Sequence, residues 1–133
     1  MDVQAGDAKA PGPKILMIDD VSMNLKVLSA MVKHLGGDPI CCATPSEAFT
    51  ILETVRPLLI MTDYWMPELT GAEFVARLAN VPNAAGVPVV VVTADMQISD
   101  RGSENFFAVL HKPVTMERIR EIIRRASGTP AAP

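Results

Sequence analysis

The most regular feature of the chain is a series of short apolar runs, each followed directly by polar or loop-forming residues. Runs of this length suit strands that are buried on both faces of a sheet, and they fall well short of the ~20 apolar residues that a membrane span needs. They predict five strands, at Ile15–Ile18, Ile40–Ala43, Leu58–Met61, Val87–Val92 and Phe107–Leu110.

Between the strands, apolar residues recur at helical spacing, and capping residues mark where helices begin. The first helix ends at Gly36-Gly37, and Pro57 closes the second. The interval from Asp95 to Asn105 is less regular and contains Gly102, so a fourth helix there is expected to be short or irregular. The first helix is predicted to bury Leu25, Leu28, Val32 and Leu35, and the second, capped at Thr44–Glu47, to bury Ala48, Ile51, Leu52 and Val55. A third helix, capped by Thr70, would bury Phe74, Val75 and Leu78. The last helix, capped by Thr115, would bury Met116, Ile119, Ile122, Ile123 and Ala126.

Strands that alternate with about five helices predict a parallel α/β sheet covered on both faces. A chain of 133 residues has room for one domain and one core. We assign the domain to residues 14–127. Residues 1–13 and 128–133, rich in Ala, Gly and Pro, are predicted to be disordered tails.

Composition narrows the class of protein. The apolar share of 49% and charged share of 20% are typical of a globular domain. The net charge of −3 gives no basic footprint for a nucleic acid or an anionic membrane. The adjacent Cys41 and Cys42 are interpreted as small buried hydrophobes in a reducing compartment. With no secretory signal pattern at the N-terminus, the expected location is the cytoplasm.

The candidate chemistry lies where the predicted strands end. Asp19 and Asp20 follow the first strand, Asp63 the third, Thr93 the fourth and Lys112 the fifth. In a parallel sheet these ends share one edge, where ligands bind in open α/β folds. Three neighbouring carboxylates would repel one another unless a cation joined them, and a hard divalent ion such as Mg²⁺ suits oxygen ligands.

A phosphoryl group would complete this arrangement. Lys112 could offset charge on a phosphoryl oxygen and the Thr93 hydroxyl could donate to another, while Asp63 acts as the nucleophile that forms an aspartyl phosphate. Taken singly, each residue has an ordinary interpretation: Asp63 as a helix cap, Thr93 as a strand residue and Lys112 as a solvated charge. Asp20 or Ser22 is also placed to cap the first helix.

The residues at these strand ends resemble the receiver domains of two-component signalling, the response-regulator family. The resemblance covers about residues 14–127. It rests on four features in order, which are Asp19-Asp20, Asp63-Tyr64-Trp65-Met66-Pro67 with Gly71, Thr93-Ala94, and Lys112-Pro113. It implies a flavodoxin-like, doubly wound sheet with strand order 2-1-3-4-5, the order that receivers of this family share.

The resemblance also implies roles. Asp63 would accept a phosphoryl group from a histidine of a kinase or phosphotransfer protein, and the domain would catalyse only its own phosphorylation and dephosphorylation. Asp19, Asp20, Asp63 and the backbone carbonyl of Trp65 would hold Mg²⁺, and Thr93 and Lys112 would bind the phosphoryl oxygens. The peptide bond before Pro113 would be cis. Phosphorylation would shift the face formed by helix four, strand five and helix five, where a downstream protein docks.

Three features depart from the family pattern. Val109 stands where an aromatic switch residue is common, three positions before Lys112, and the segment from Thr93 to Lys112 is shorter than usual by about one helical turn. We therefore predict atypical switching, with Phe106 or Phe107 substituting for the missing ring. Trp65, two residues past Asp63, and Asp95, two past Thr93, border the water path to the phosphoryl group, so self-dephosphorylation should be slow.

Two alternatives remain open at this stage. The first is a degenerate receiver, which would bind partners without being phosphorylated. Val109 and the short fourth helical segment favour this alternative, whereas the complete set of site residues argues against it. An enzyme on the same fold would be a flavin protein or an aspartate-nucleophile phosphatase. The flavin protein needs a Ser/Thr/Gly-rich loop after the first strand, and the phosphatase needs an Asp-x-Asp arrangement there; neither is present.

Overall fold

The computed structural model describes residues 12–99 and 106–128. Its strands form one five-stranded parallel sheet with the order β2-β1-β3-β4-β5. The strands are β1 (Lys14–Ile18), β2 (Asp38–Cys42), β3 (Leu59–Thr62), β4 (Val89–Thr93) and β5 (Ala108–His111). This confirms the predicted fold class and strand order, and the predicted first and last residues of the strands lie within two residues of the observed ones.

Four α-helices lie in the described part of the chain, one fewer than about five predicted. They are α1 (Ser22–His34), α2 (Pro45–Leu52), α3 (Gly71–Leu78) and α4 (Met116–Ala126), and a short 3₁₀ turn covers Pro82–Ala84. Residues 94–99 form bends and turns rather than a helix. The rest of the interval assigned to a fourth helix lies outside the described residues, as do residues 1–11 and 129–133 of the predicted tails.

Capping explains where the helices begin. Thr70 and Glu73 form a complete capping box at α3, and the hydroxyls of Thr44 and Thr115 accept bonds from backbone N–H groups of α2 and α4. The predicted caps at α1 were wrong: neither Asp20 nor Ser22 caps it, and its N-cap residue Val21 makes no side-chain bond. The Val21 N–H instead donates to Asp19 Oδ1 at 2.9 Å, which draws Asp19 toward the start of this helix.

The sheet separates two apolar clusters, because successive strand residues point to opposite faces. Ile15 and Met17 pack on one face with α1 and α4, and Leu16 and Ile18 pack on the other with α2 and α3. Both faces of the central strands are therefore buried, as their continuous apolar runs predict. Among the described residues, no helix is long and apolar enough to span a membrane.

The two cysteines differ, which corrects the prediction that both are buried. Cys41 is exposed and Cys42 is buried, because β2 is an edge strand whose successive residues face opposite ways. Burial, with a smaller contribution from the charge of Glu47, raises the pKa of the Cys42 thiol to about 12. The reactive thiolate of Cys42 is therefore scarce at neutral pH.

We expect iodoacetamide to alkylate Cys41 and spare Cys42 in the folded protein at pH 8. With a pKa of about 12, the Cys42 thiol is ionised in only about one molecule in 10,000 at that pH, and its sulfur is also shielded. Peptide mass mapping after timed labelling gives the two rates, and Cys41→Ser serves as the control. Equal labelling of both thiols before unfolding would contradict the observed burial.

Candidate functional site

The carboxyl edge of the sheet gathers the polar side chains that the strand ends predict. Asp19 follows β1, Asp63 follows β3, Thr93 ends β4 and Lys112 follows β5. The parallel registers Ile18↔Thr62 and Thr93↔His111 bring these ends to the same edge. The strand order therefore places residues far apart in sequence around one hollow.

Three carboxylates meet at this edge. One oxygen each of Asp19, Asp20 and Asp63 lies within 4.8 Å of the others. Asp19 is buried, Asp63 half-buried and Asp20 exposed. Asn24, which the sequence interpretation gave no role, donates to Asp19 Oδ2 at 3.1 Å. A polar residue on the first turns of α1 was the only signal for this contact.

Lys112 brings a positive charge to the same place. Its Nζ lies 3.4 Å from Asp19 Oδ2 and 3.9 Å from Asp63 Oδ2. Its backbone N–H donates to the Thr93 carbonyl at 2.9 Å, and the Lys112–Pro113 peptide bond is cis, as the resemblance implied. The ammonium is thus shared between two acids that belong to different strands.

The carboxylates remain under-compensated despite this lysine. Burial raises the pKa of the Asp63 carboxyl above its usual value. The positive charge of Lys112 lowers this pKa, but by less than burial raises it, and the negative charge of Asp19 raises it again. A site with an excess of converging carboxylate oxygens favours a hard cation such as Mg²⁺. The donor set of Asp19, Asp20 and Asp63 therefore fits a magnesium ion.

Thr93 is buried at the end of β4, and its hydroxyl oxygen accepts a bond from the backbone N–H of Asp95 at 3.1 Å. That bond uses the oxygen as an acceptor, so the hydroxyl proton is available to a ligand. Thr93 is thereby suited to donate to an anion at the edge of the sheet.

The two residues predicted to border the water path are joined directly. The Trp65 indole Nε1 donates to Asp95 Oδ2 at 2.9 Å, a contact that sequence spacing could not show. This hydrogen bond and the backbone N–H of Gln97 lower the pKa of Asp95. The Tyr64 ring packs edge-on against the rings of Trp65 and Phe106, whose centres lie 4.9 and 6.1 Å from its own.

The remaining residues singled out for switching lie apart. Val109 is buried in the middle of β5 opposite Val91. Phe107 lies beneath the guanidinium of Arg125, 4.6 Å from it. Of the two aromatic candidates for the missing ring, Phe106 contacts the residue next to Asp63, and the idea that either ring takes part in switching stays a prediction.

An acidic hollow at the carboxyl edge of a sheet with strand order 2-1-3-4-5, in which Lys112 lies close to Asp63, defines a receiver-type signalling domain. The family profile described as the response regulator receiver domain matches residues 15–124. The chain belongs to this family, whose members act in two-component systems.

Individual relatives agree with this membership. The chain is 31% identical over 119 residues to a probable transcriptional regulator, ycf27, of Porphyridium aerugineum, covering 84% of this chain and 48% of the relative. It is 27% identical over 120 residues to the polar-differentiation response regulator DivK of Brucella anthropi, covering 86% and 95%. The chain spans about half the length of the first curated relatives it matches.

Solved structures show the same fold. The receiver domain of the sensor histidine kinase PA1611 from Pseudomonas aeruginosa has a TM-score of 0.79 and 27% identity, covering 88% of this chain and 98% of that one. The structure of that receiver domain contains a magnesium ion coordinated in its active site cleft. The chemotaxis response regulator CheY4 of Vibrio cholerae has a TM-score of 0.75 at 22% identity, with 86% and 98% covered.

We expect Asp63→Asn to raise the free energy of unfolding at pH 7 in EDTA by about 0.5 kcal/mol, a small effect because the group is partly solvated. A raised pKa in the folded state means that wild-type stability falls as pH rises from the unfolded-state pKa through the folded-state pKa. The advantage of the variant should therefore be full at pH 7 and vanish near pH 3.

Urea unfolding at several pH values measures this difference. Asp38→Asn is a matched control, because Asp38 pairs with Lys14 at 3.2 Å outside the hollow and its removal should not stabilise the fold. An Asp63→Asn variant less stable than wild type at pH 7 would show that attraction to Lys112 outweighs burial and repulsion.

Proposed function

We propose that the domain accepts a phosphoryl group on Asp63 from a histidine of a kinase or phosphotransfer protein, and relays the signal through a protein-binding surface. The observation that supports this most directly is the position of Lys112 Nζ, 3.9 Å from Asp63 Oδ2 and 3.4 Å from Asp19 Oδ2. An ammonium held there is set to offset charge on an oxygen of a phosphoryl group arriving at Asp63.

The reaction is a transfer between two nucleophiles. A carboxylate oxygen of Asp63 forms a bond to phosphorus while the phosphorus–nitrogen bond of the donor phosphohistidine breaks, and the imidazole nitrogen keeps the bonding electron pair and takes up a proton. Lys112 neutralises charge on one equatorial oxygen, and the Thr93 hydroxyl donates to another. The domain's contribution is position and charge, as in other phosphoryl transfers.

Asp19, Asp20 and Asp63, with the backbone carbonyl of Trp65, would hold a magnesium ion. When bound, the ion neutralises the carboxylates and the phosphoryl oxygens together. The chain's own part is to keep those oxygens converged: Asn24 and the Val21 N–H orient Asp19, and β3 delivers Asp63 beside it.

Output would follow through a face that includes β5 and α4. A downstream protein that binds the phosphorylated arrangement better than the free one shifts the population toward it. We infer that the chemistry of the domain itself is limited to its own phosphorylation and dephosphorylation.

Wild-type protein incubated with acetyl phosphate and Mg²⁺ should gain one phosphoryl group, and Asp63→Asn should gain none. Intact-mass spectrometry measures the uptake, and EDTA in place of Mg²⁺ should suppress it because the carboxylates are then left uncompensated. Asp38→Asn, which alters an acid outside the hollow, is the control and should behave as wild type. Uptake by Asp63→Asn would contradict the assignment of Asp63 as the acceptor. No uptake by wild type would contradict the proposal as a whole and favour a phosphorylation-independent binding module.

Trp65→Ala should shorten the lifetime of the phosphoryl group on Asp63. The indole lies two residues past the acceptor, and its removal opens a path for water; a change of about 1.4 kcal/mol in the barrier corresponds to a tenfold faster loss. The lifetime is followed by mass spectrometry after removal of acetyl phosphate. An unchanged or longer lifetime in the variant would contradict the shielding role.

A further inference from the structure

Asp95 connects two groups that belong to different parts of the site. Its carboxylate Oδ2 accepts the Trp65 indole N–H at 2.9 Å, and its backbone N–H donates to the Thr93 hydroxyl oxygen at 3.1 Å. Trp65 lies on the loop that carries Asp63, whereas Thr93 ends the neighbouring strand. One residue thus ties the loop after β3 to the hydroxyl at the end of β4.

Asp95 is itself held in place by the turn that follows it. Its Oδ1 accepts the Gln97 N–H at 2.9 Å, and its carbonyl accepts the Ile98 N–H at 3.1 Å. The Ile98 carbonyl lies 2.8 Å from His111 Nε2 at the end of β5. The Asp95 carboxylate is therefore already oriented toward the indole. Because of this, the hydrogen bond to Trp65 costs less conformational entropy than a bond between two freely moving surface side chains.

The indole needs such an anchor. Trp65 is 56% exposed, and the ring that packs on it, Tyr64, meets it only edge-on. A side chain so exposed would otherwise sample other rotamers. Bonded to Asp95, the indole spans the gap between the ends of β3 and β4, the two strands that carry Asp63 and Thr93.

We propose that Asp95 is a positioning residue for the acceptor reaction: its hydrogen bond to Trp65 holds the indole across the gap between β3 and β4 and shields the phosphoryl group from water. This inference rests on the proposed function. It differs from shielding by bulk alone, because it assigns the protection to the orientation that the N–H···O bond imposes. The nucleophile that the bridge excludes is water.

Two single variants and their combination separate orientation from bulk. Trp65→Phe keeps an aromatic ring but loses the N–H, and Asp95→Ala removes the acceptor while leaving the backbone N–H that binds Thr93. Each should shorten the phosphoryl lifetime by about two- to tenfold, the range that one hydrogen bond accessible to solvent can produce. The double variant should be no faster than the faster single variant, because both remove the same bond.

The protein is loaded with acetyl phosphate and Mg²⁺, the donor is removed, and phosphoryl loss is followed by mass spectrometry. Asp38→Asn, which alters an acid outside the hollow, should lose its phosphoryl group as slowly as wild type does. A wild-type lifetime in Trp65→Phe would overturn the inference in favour of bulk alone, and multiplied effects in the double variant would overturn it as well. If wild type took up no phosphoryl group, it is the proposed function that would have failed.

A second measurement does not depend on phosphorylation. Trp65 is the one tryptophan of the chain, so its indole N–H gives a single resolvable proton resonance. In Asp95→Ala that resonance should move and exchange with water faster, while Asp38→Asn should leave it unchanged. An indole resonance that is the same in Asp95→Ala and wild type would show that the bridge does not form in solution, and would overturn the inference.

Discussion

The constraint on which the site depends is the convergence of like charges at one edge of the sheet. Asp19 is buried, and a buried carboxylate is costly unless it is paired and hydrogen-bonded. Lys112, Asn24 and the Val21 N–H supply those partners from β5 and α1. The acids can therefore remain close only while β1, β3 and β5 keep their relative register, which makes the integrity of the whole sheet a condition for the chemistry.

The sequence predicted the fold well where strands are buried on both faces. β1, β3 and β4 form continuous apolar runs because each lies between two layers of helices, and the residue after each run marks the functional edge. β2 is an edge strand that begins at Asp38 and Pro39, so no continuous run revealed its start or the exposure of Cys41. The candidate acids, Thr93 and Lys112 followed from strand ends alone, and their gathering at one edge is what the parallel topology requires.

Contacts between side chains distant in sequence were beyond prediction. The bond between Trp65 and Asp95 joins two loops 30 residues apart, and no periodic pattern encodes it. Asn24 lies only five residues from Asp19, but its contact with that carboxylate depends on how the chain enters α1 after β1, which the helical pattern does not specify. Tyr64 also packs against Phe106, which precedes β5, whereas Val109, at the family's usual ring position, pairs within the sheet.

The loop that carries Trp65 is closed at its base. The Gly71 N–H donates to the Tyr64 carbonyl at 2.7 Å, and Trp65 and Thr70 form an antiparallel bridge. A Cβ at Gly71 would lie 3.2 Å from the Tyr64 ring and 3.3 Å from its Cα, closer than a side chain ordinarily packs. The loop and the first turn of α3 thus form one module, and engineering that transplants the acceptor region into another scaffold must carry residues 63–74 as a single cassette.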